Sequence, residues 1–179
     1  MSKILIISTS LRANSNSERL AKECEKGAKS VGNDVEFISL KNKKINYCIG
    51  CSACQNIGRC VIDDDAREIA EKVKNADTLV FATPVYYYEM AGQMKTLLDR
   101  LNPLFPSDYR FRKVYMIASA AEDGSYVFEK AYTGLSGWVE CFEKAKLCGI
   151  LEGGGLENSN DAENDRDVLT RAYDLGKSL

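Results

Sequence analysis

The chain has 179 residues, enough for one domain with a sizeable core, and a formal net charge of −2 gives it no general affinity for nucleic acid or anionic membranes. It contains no histidine, which excludes Ser-His-Asp catalysis and histidine-ligated metal or haem. No apolar run approaches the ~20 residues of a membrane span, and the N-terminus lacks a secretory signal pattern. With seven cysteines, these features predict a reducing, cytoplasmic setting.

Short apolar runs alternate with amphipathic segments along the chain. Strands are predicted at 3–8, 35–40, 78–83, 114–118 and 147–151, and helices at 17–30, 65–74, 91–101, 127–146 and 161–175. This alternation predicts an α/β fold, one domain over 1–179, with a parallel sheet covered by helices on both faces. Ligands of such folds bind beyond the carboxyl ends of the strands, here in the loops 9–16, 84–90 and 119–125.

The first predicted strand is followed by a polar run, STSLRANSNS (8–17), that leads directly into a helix. Hydroxyls, free backbone N–H groups and the positive helix end suit a phosphate, and Arg12 can add a charge-assisted bond. The run contains neither GxGxxG nor GxxxxGK[ST], so a terminal monophosphate fits better than a dinucleotide. The alternative is an ordinary turn whose Ser and Asn residues only cap the helix.

Residues 41–62 show neither helical nor strand periodicity and contain four cysteines in the spacing C-x2-C-x2-C-x5-C. These are Cys48, Cys51, Cys54 and Cys60. One loop of this spacing can wrap a compact iron–sulfur cube, as the related run of bacterial ferredoxins does. Zinc binding and free or disulfide-forming thiols remain alternatives.

Several residues outside these loops are expected to have structural rather than functional roles. Cys24, Cys141 and Cys148 are expected to be small core residues. The acidic run 63–65 is expected to favour a helix start, and Asp99 with Arg100 to form an ion pair.

The third predicted strand ends in Thr83-Pro84-Val85 and three consecutive tyrosines, Tyr86 to Tyr88. Such an aromatic lip can cover a planar ring system, although consecutive side chains point in different directions. At most two of the three would therefore touch a ligand. The alternative is that these rings cap the core or a subunit interface.

Three segments, STSLRANSNSERLAKE (8–23), ATPVYYYEMAGQMKTLLDR (82–100) and AYDLGKSL (172–179), together resemble the NAD(P)H-dependent FMN reductases of the flavodoxin-like superfamily. The resemblance implies a three-layer sandwich with strand order 2-1-3-4-5, bound FMN and a homodimer or higher homo-oligomer. It also implies the cofactor-binding residues Ser8, Ser10, Arg12, Asn14, Asn16 and Ser17 around the phosphate, and Thr83, Pro84, Val85, Tyr86, Tyr87, Ser119, Ala120 and Ala121 around the ring.

The cysteine run is similar to that of the iron–sulfur flavoproteins, an FMN-containing branch of the same superfamily. This resemblance implies a [4Fe-4S] cluster on Cys48, Cys51, Cys54 and Cys60 that exchanges electrons with FMN. The expected function is therefore an FMN-dependent oxidoreductase, with NAD(P)H, a ferredoxin or a quinone-like molecule as donor or acceptor. No side chain is nominated as catalytic, because the flavin carries the chemistry. The alternatives are a cluster-free NAD(P)H-dependent FMN, quinone or azo reductase, and a non-catalytic electron carrier.

Overall fold

The computed structural model describes residues 1–179. The strands are β1 (Lys3–Ser8), β2 (Asp34–Ser39), β3 (Thr78–Tyr86), β4 (Glu89–Met90), β5 (Lys113–Ser119) and β6 (Lys146–Gly153). The helices are α1 (Asn16–Ser30), α2 (Ala53–Ile57), α3 (Asp65–Asn75), α4 (Gly92–Arg100), α5 (Glu129–Glu140), α6 (Asp161–Asn164) and α7 (Arg166–Ser178). Two 3-10 turns, Asn102–Leu104 and Ser125–Val127, complete the elements.

Five parallel strands form the sheet in the order β2-β1-β3-β5-β6, and the two-residue β4 pairs antiparallel with the end of β3. Counted over the parallel strands alone, this is the predicted order 2-1-3-4-5. Ser8 lies opposite Ala82, and Pro84 lies opposite Ser119. The carboxyl ends of β1, β3 and β5 therefore meet at one edge of the sheet.

Alternate residues of the central strands bury their side chains on opposite faces of the sheet. Leu5 and Ile7 of β1 belong to one core cluster, which is shared with α3, α4 and α5. Ile4 and Ile6 belong to the other, which is shared with α1 and α7. Because both faces are covered, the strands are near-continuous apolar runs, as expected of a buried parallel sheet. The predicted α/β fold is confirmed.

Two predicted helices are shorter or divided in the structure. The helix expected over 127–146 ends at Glu140, because Phe142 turns into the core and Lys146 donates its N–H to Arg112 at the start of β6. The helix expected over 161–175 is two helices separated at Asp165, whose side chain accepts a hydrogen bond from the Val168 N–H and so caps α7. The five-residue α2 lies within the segment expected to lack regular structure.

The cysteines outside the 41–62 segment occupy two kinds of environment. Cys24 is fully buried, as predicted, and burial raises the pKa of its thiol to about 12. The expectation that Cys141 and Cys148 are core residues is wrong, because both are exposed. Cys141 lies just past the end of α5, and Cys148 lies on the edge strand β6, which has a neighbour on one side only.

None of the helices combines the length and the apolar composition that crossing a membrane requires.

Helices α1 and α7 touch backbone to backbone at two glycines. A Cβ atom on Gly27 would collide with the carbonyl oxygen of Tyr173, and a Cβ atom on Gly176 with that of Cys24. A side chain at either position would push the two helices apart. Gly137 of α5 is also helical, but a Cβ atom there meets nothing within 4 Å.

We expect Gly27→Ala to lower the free energy of unfolding by about 1–3 kcal/mol, because overpacking outweighs the gain in helix propensity. Gly137→Ala is the matched control and should raise the free energy of unfolding by about 0.5–1 kcal/mol. Urea unfolding of both variants measures the difference. A Gly27→Ala protein as stable as the parent would show that the helices separate at no cost.

Candidate functional site

The strand order reverses at β1, because the chain passes from β1 to β2 on one side and returns to β3 on the other. In open α/β sheets this is the point where a crevice forms beyond the carboxyl ends of the strands. A cavity of about 160 Å³ lies there. It is lined by Ser10, Arg12, Ser15, Asn16, Pro84, Val85, Tyr86, Ser119, Ala120, Ala121, Leu156 and Glu157. The structure therefore brings all three predicted loops to one cavity.

Residues 10–17 form a cradle of hydrogen-bond donors at the start of α1. The side chains of Ser10, Ser15 and Ser17 are all buried there. Ser15 caps the helix by accepting from the N–H of Glu18. The backbone N–H groups from residue 13 to residue 17 have no partner within the protein. Unpaired amides at a helix N-terminus suit an anion, and this set fits the terminal phosphate of a mononucleotide.

Some predicted phosphate ligands have side chains that are already engaged. The amide of Asn16 donates to the carbonyl oxygens of Leu156 and Asn158 at 3.0 and 2.8 Å, and its oxygen accepts from the N–H of Ala162. Arg12 donates to the carbonyl oxygen of Glu157 at 3.0 Å. For Asn16, the backbone N–H is the group left for a phosphate.

Segment 154–160 completes the cavity, and the sequence interpretation did not include it. The sequence signal for this segment is the run Gly153-Gly154-Gly155 at the end of β6, which allows the backbone to pass close to other loops. Gly154 shows this packing, because a Cβ atom there would meet Asp123 at 2.6 Å.

Two predicted cofactor residues have structural roles for their side chains. The Ser8 hydroxyl is fully buried and lies 3.5 Å from a carboxylate oxygen of Glu18. Thr83 is also fully buried, and its Oγ1 accepts from the N–H of Ala91 at 3.0 Å. They hold the first loop and the β3 exit in place.

Glu18 places a carboxylate in the first turn of α1, close to the cradle. Burial raises the pKa of Glu18, but hydrogen bonds from Lys41 and Lys22 outweigh burial and hold the pKa below its usual value. Lys41 lies 2.8 Å from this carboxylate and Lys22 lies 3.1 Å from it. The two ammonium groups offset the negative charge that would otherwise oppose an anion nearby.

The three tyrosines after β3 form a tight hairpin with β4. Tyr86 pairs with Glu89, and Tyr87 and Tyr88 form the two-residue turn with positive φ values of 52° and 64°. This turn usually takes Asn and Gly, so two tyrosines there carry backbone strain. Non-glycine residues are held in this region mainly at functional sites.

The three rings point in different directions, as expected from their sequence adjacency. Tyr86 lines the cavity, whereas Tyr87 is 98% exposed at the tip of the hairpin. The Tyr88 hydroxyl donates to Glu122 at 3.1 Å, and Tyr126 donates to the same carboxylate at 3.0 Å. Hydrogen bonding to Glu122 raises the pKa of Tyr88. The hairpin is thus fastened to the loop after β5.

A second, larger groove of about 530 Å³ adjoins the first loop. Leu11 of that loop, Leu40 and Tyr47 line it together with Gly92 and Gln93 at the start of α4. The groove therefore joins the phosphate cradle to the beginning of the cysteine-containing segment.

The predicted cluster ligands do not converge in the structure. Cys54 is buried, Cys60 is half-buried, and Cys48 and Cys51 are exposed. No group of three or more His, Cys, Asp or Glu side chains is placed to hold a metal ion. Between residues 47 and 52 the only backbone N–H that donates is that of Gly50, to Cys48 Sγ at 3.5 Å. This stretch has few internal bonds that would resist a change of conformation.

The end of this segment is anchored by a buried ion pair. Arg100 donates two hydrogen bonds to Asp64, at 2.8 and 2.9 Å, and both side chains are 0% exposed. The expected pairing of Arg100 with its neighbour Asp99 is wrong, because Asp99 instead pairs with Lys95 one helical turn away, on the exposed face of α4. Asp64 also caps α3, as the acidic run predicts.

The fold is flavodoxin-like, and the family to which the sequence belongs consists of flavin-dependent oxidoreductases. The sequence pattern of the NADPH-dependent FMN reductases matches residues 2–133, and the chain belongs to that family.

Two individual relatives are described more specifically, as iron–sulfur flavoproteins. An iron–sulfur flavoprotein of Methanosarcina thermophila is 38% identical over 178 residues, which cover 99% of this chain and 93% of that protein. An iron–sulfur flavoprotein of Methanocaldococcus jannaschii is 41% identical over 102 residues, which cover 57% of this chain. This second match spans only about half of its relative, 53% of the length.

The fold has a solved counterpart in an NAD(P)H:quinone oxidoreductase from Methanothermobacter marburgensis. The two superpose with a TM-score of 0.77 over 99% of this chain and 96% of that one. Their sequence identity is 18%, so this similarity establishes the fold alone.

Proposed function

We propose that this protein is an FMN-dependent oxidoreductase that also carries a [4Fe-4S] cluster and exchanges electrons between the two. The observation that carries the proposal is the C-x2-C-x2-C-x5-C segment on an FMN reductase fold, whose near full-length relative is an iron–sulfur flavoprotein. FMN suits such a junction because it handles both two-electron and one-electron transfer.

The chain's own residues would bind and orient the flavin. Ser10, Ser17 and the unpaired N–H groups at the start of α1 would hold the phosphate. Pro84, Val85 and Tyr86, with 119–121 opposite, would line the ring and exclude water from one side of it. No acid, base or nucleophile among the side chains is required for this role.

Cys48, Cys51, Cys54 and Cys60 would be the cluster ligands. Thiolates are the ligands that iron–sulfur clusters take, and this spacing lets one loop surround a cube. The sparse bonding of residues 47–52 is consistent with a loop that closes when a cluster is assembled. The start of the same segment borders the groove that adjoins the phosphate cradle, which would keep cluster and flavin close together.

An absorption spectrum of anaerobically purified protein, before and after dithionite, tests this function. We expect flavin bands above a broad shoulder that bleaches on reduction, and about four iron atoms per chain. Cys54→Ser should remove the shoulder and keep the flavin bands. Cys141→Ser, which changes an exposed cysteine outside the segment, should keep both. A protein that takes up no FMN would contradict the proposal as a whole.

A cluster-free NAD(P)H-dependent reductase is the second candidate, favoured by the observation that the four thiols do not converge. It predicts flavin bands alone, with no shoulder after anaerobic reconstitution with iron and sulfide. It also predicts that Cys54→Ser and Cys141→Ser behave alike in NAD(P)H oxidation with a quinone acceptor.

We propose NAD(P)H, a ferredoxin or a quinone-like molecule as electron donor or acceptor. The assembly that we propose is a homodimer or a higher homo-oligomer. The exposed Tyr86 and Tyr87 beside the cavity would suit a subunit interface. Light scattering at several concentrations measures the assembly.

A further inference from the structure

The end of α4 and the turn after it place two side-chain N–H groups beside the cysteine segment. The first belongs to Arg100, the last residue of α4, which is 1% exposed. The second belongs to Asn102, the first residue of the following 3-10 turn.

Arg100 has one donor that nothing in the protein accepts. Its terminal nitrogens reach Asp64 and the carbonyl oxygens of Asn46, at 2.7 Å, and Ile62, at 3.2 Å. Its Nε is buried and has no hydrogen-bond partner. Leaving a buried N–H of a charged group without an acceptor is costly, so it requires an explanation.

Cys60 is next to this unpaired donor. Cys60 and Arg100 line the same small cavity, of about 20 Å³. The backbone at Cys60 and just after it is fixed, because Arg67 donates to the carbonyl oxygens of Cys60 and Val61, both at 2.8 Å.

Cys54 has its own donor. The amide nitrogen of Asn102 lies 3.2 Å from Cys54 Sγ, and Cys54 is the buried member of the four cysteines. The two most enclosed thiols of the segment thus each have a nearby N–H group, one from the end of α4 and one from the turn that follows it.

We propose that Arg100 and Asn102 are positioning residues that donate N–H···S hydrogen bonds to the cluster, Arg100 on the Cys60 side and Asn102 on the Cys54 side, and thereby set its reduction potential. This inference rests on the proposed cluster. Hydrogen bonds to cluster sulfur are among the features that set the potential, and the cationic Arg100 favours the more negative, reduced state.

The test is a redox titration of the cluster in the FMN-loaded protein, followed by EPR. Arg100→Lys keeps the positive charge but removes Nε, and Asn102→Leu keeps the size of the side chain but removes the amide. We expect each substitution to shift the equilibrium between the reduced and the oxidised cluster about tenfold towards the oxidised form. This lowers the reduction potential by ~59 mV for a one-electron couple. Lys95→Gln changes a cation on the exposed side of the same helix and should leave the potential unchanged.

The outcomes separate this inference from the function beneath it. A wild-type protein that binds FMN but no iron removes the cluster, and this inference with it. Full iron content with an unchanged potential in both variants overturns the inference and leaves the cluster intact. If Arg100→Lys does not fold, Asn102→Leu decides alone, because Asn102 is only half-buried and its backbone contacts remain.

Discussion

Replacing both Ser10 and Ser17 by alanine is expected to weaken FMN binding by about 100-fold or more. Both hydroxyls are buried in the cradle at the start of α1, with exposures of 2% and 0%. A hydrogen bond to a charged group contributes about 1.5–3 kcal/mol, and each 1.4 kcal/mol is about tenfold in the dissociation constant. Two such bonds to the phosphate therefore correspond to at least two factors of ten. Quenching of flavin fluorescence on binding measures the change.

Riboflavin provides the control for this prediction, because it has the ring of FMN without the phosphate. The double variant and the parent should bind riboflavin equally well. Ser30→Ala, at the other end of α1, removes a hydroxyl that donates to the Gly27 carbonyl at 2.7 Å and should not affect FMN binding. An equal loss for FMN and riboflavin would place the phosphate elsewhere.

Most of the fold is predictable from local patterns. The strands are short apolar runs and the helices between them are amphipathic, so the period of the sequence indicates both. The arrangement of one sheet between two layers of helices follows from the alternation of strands and helices along the chain. The errors occur where tertiary contacts override the period, as at Phe142, whose burial against the core ends α5 early.

The candidate site is predictable in its loops but not in its contacts. The polar run after β1 and the residues after β3 and β5 do line one cavity. The Asn16 side chain makes its hydrogen bonds with Leu156, Asn158 and Ala162. These contacts exist because a loop that is distant in sequence folds back over the start of α1. Such a contact across some 140 residues leaves no periodic signal, and only the glycine run at 153–155 marks the loop.

The ion pair of Arg100 shows most clearly how adjacency in sequence can suggest the wrong partner. Asp99 is next to it in sequence, but successive helical residues point about 100° apart, so the two side chains do not face each other. Asp64, far away in sequence, lies beneath α4 and receives both hydrogen bonds. Arg100 pairs with Asp64 because its guanidinium is fully buried, and a buried cation requires a carboxylate within hydrogen-bond distance.

The same pair gives the largest stability effect that we expect. Asp64→Asn should lower the free energy of unfolding by about 3–5 kcal/mol, because it leaves the Arg100 charge buried without its counter-charge. Asparagine is as good a helix N-cap as aspartate, so the start of α3 is preserved. Asp99→Asn, in the neighbouring exposed pair, is the matched control and should cost about 1 kcal/mol or less. Urea unfolding at neutral pH and one fixed FMN concentration compares them.

The difference between parent and Asp64→Asn should also depend on pH. Burial raises the pKa of Asp64, but hydrogen bonds from Arg100 and Asn46 outweigh burial and lower it to about 2. An aspartate in the unfolded chain has a pKa of about 3.9. Because the folded value is the lower one, the carboxylate stabilises the fold fully above about pH 4. That contribution is lost as the pH falls towards 2.

Parent and variant should therefore differ most at neutral pH and converge as the pH falls from about 4 to about 2. A series of unfolding curves across this range, with Asp99→Asn beside them, measures the convergence. A constant difference down to pH 2 would mean that the effect of Asp64→Asn comes from packing or capping rather than from the charge. It would also remove the reason for treating Arg100 as a cation fixed in place by Asp64.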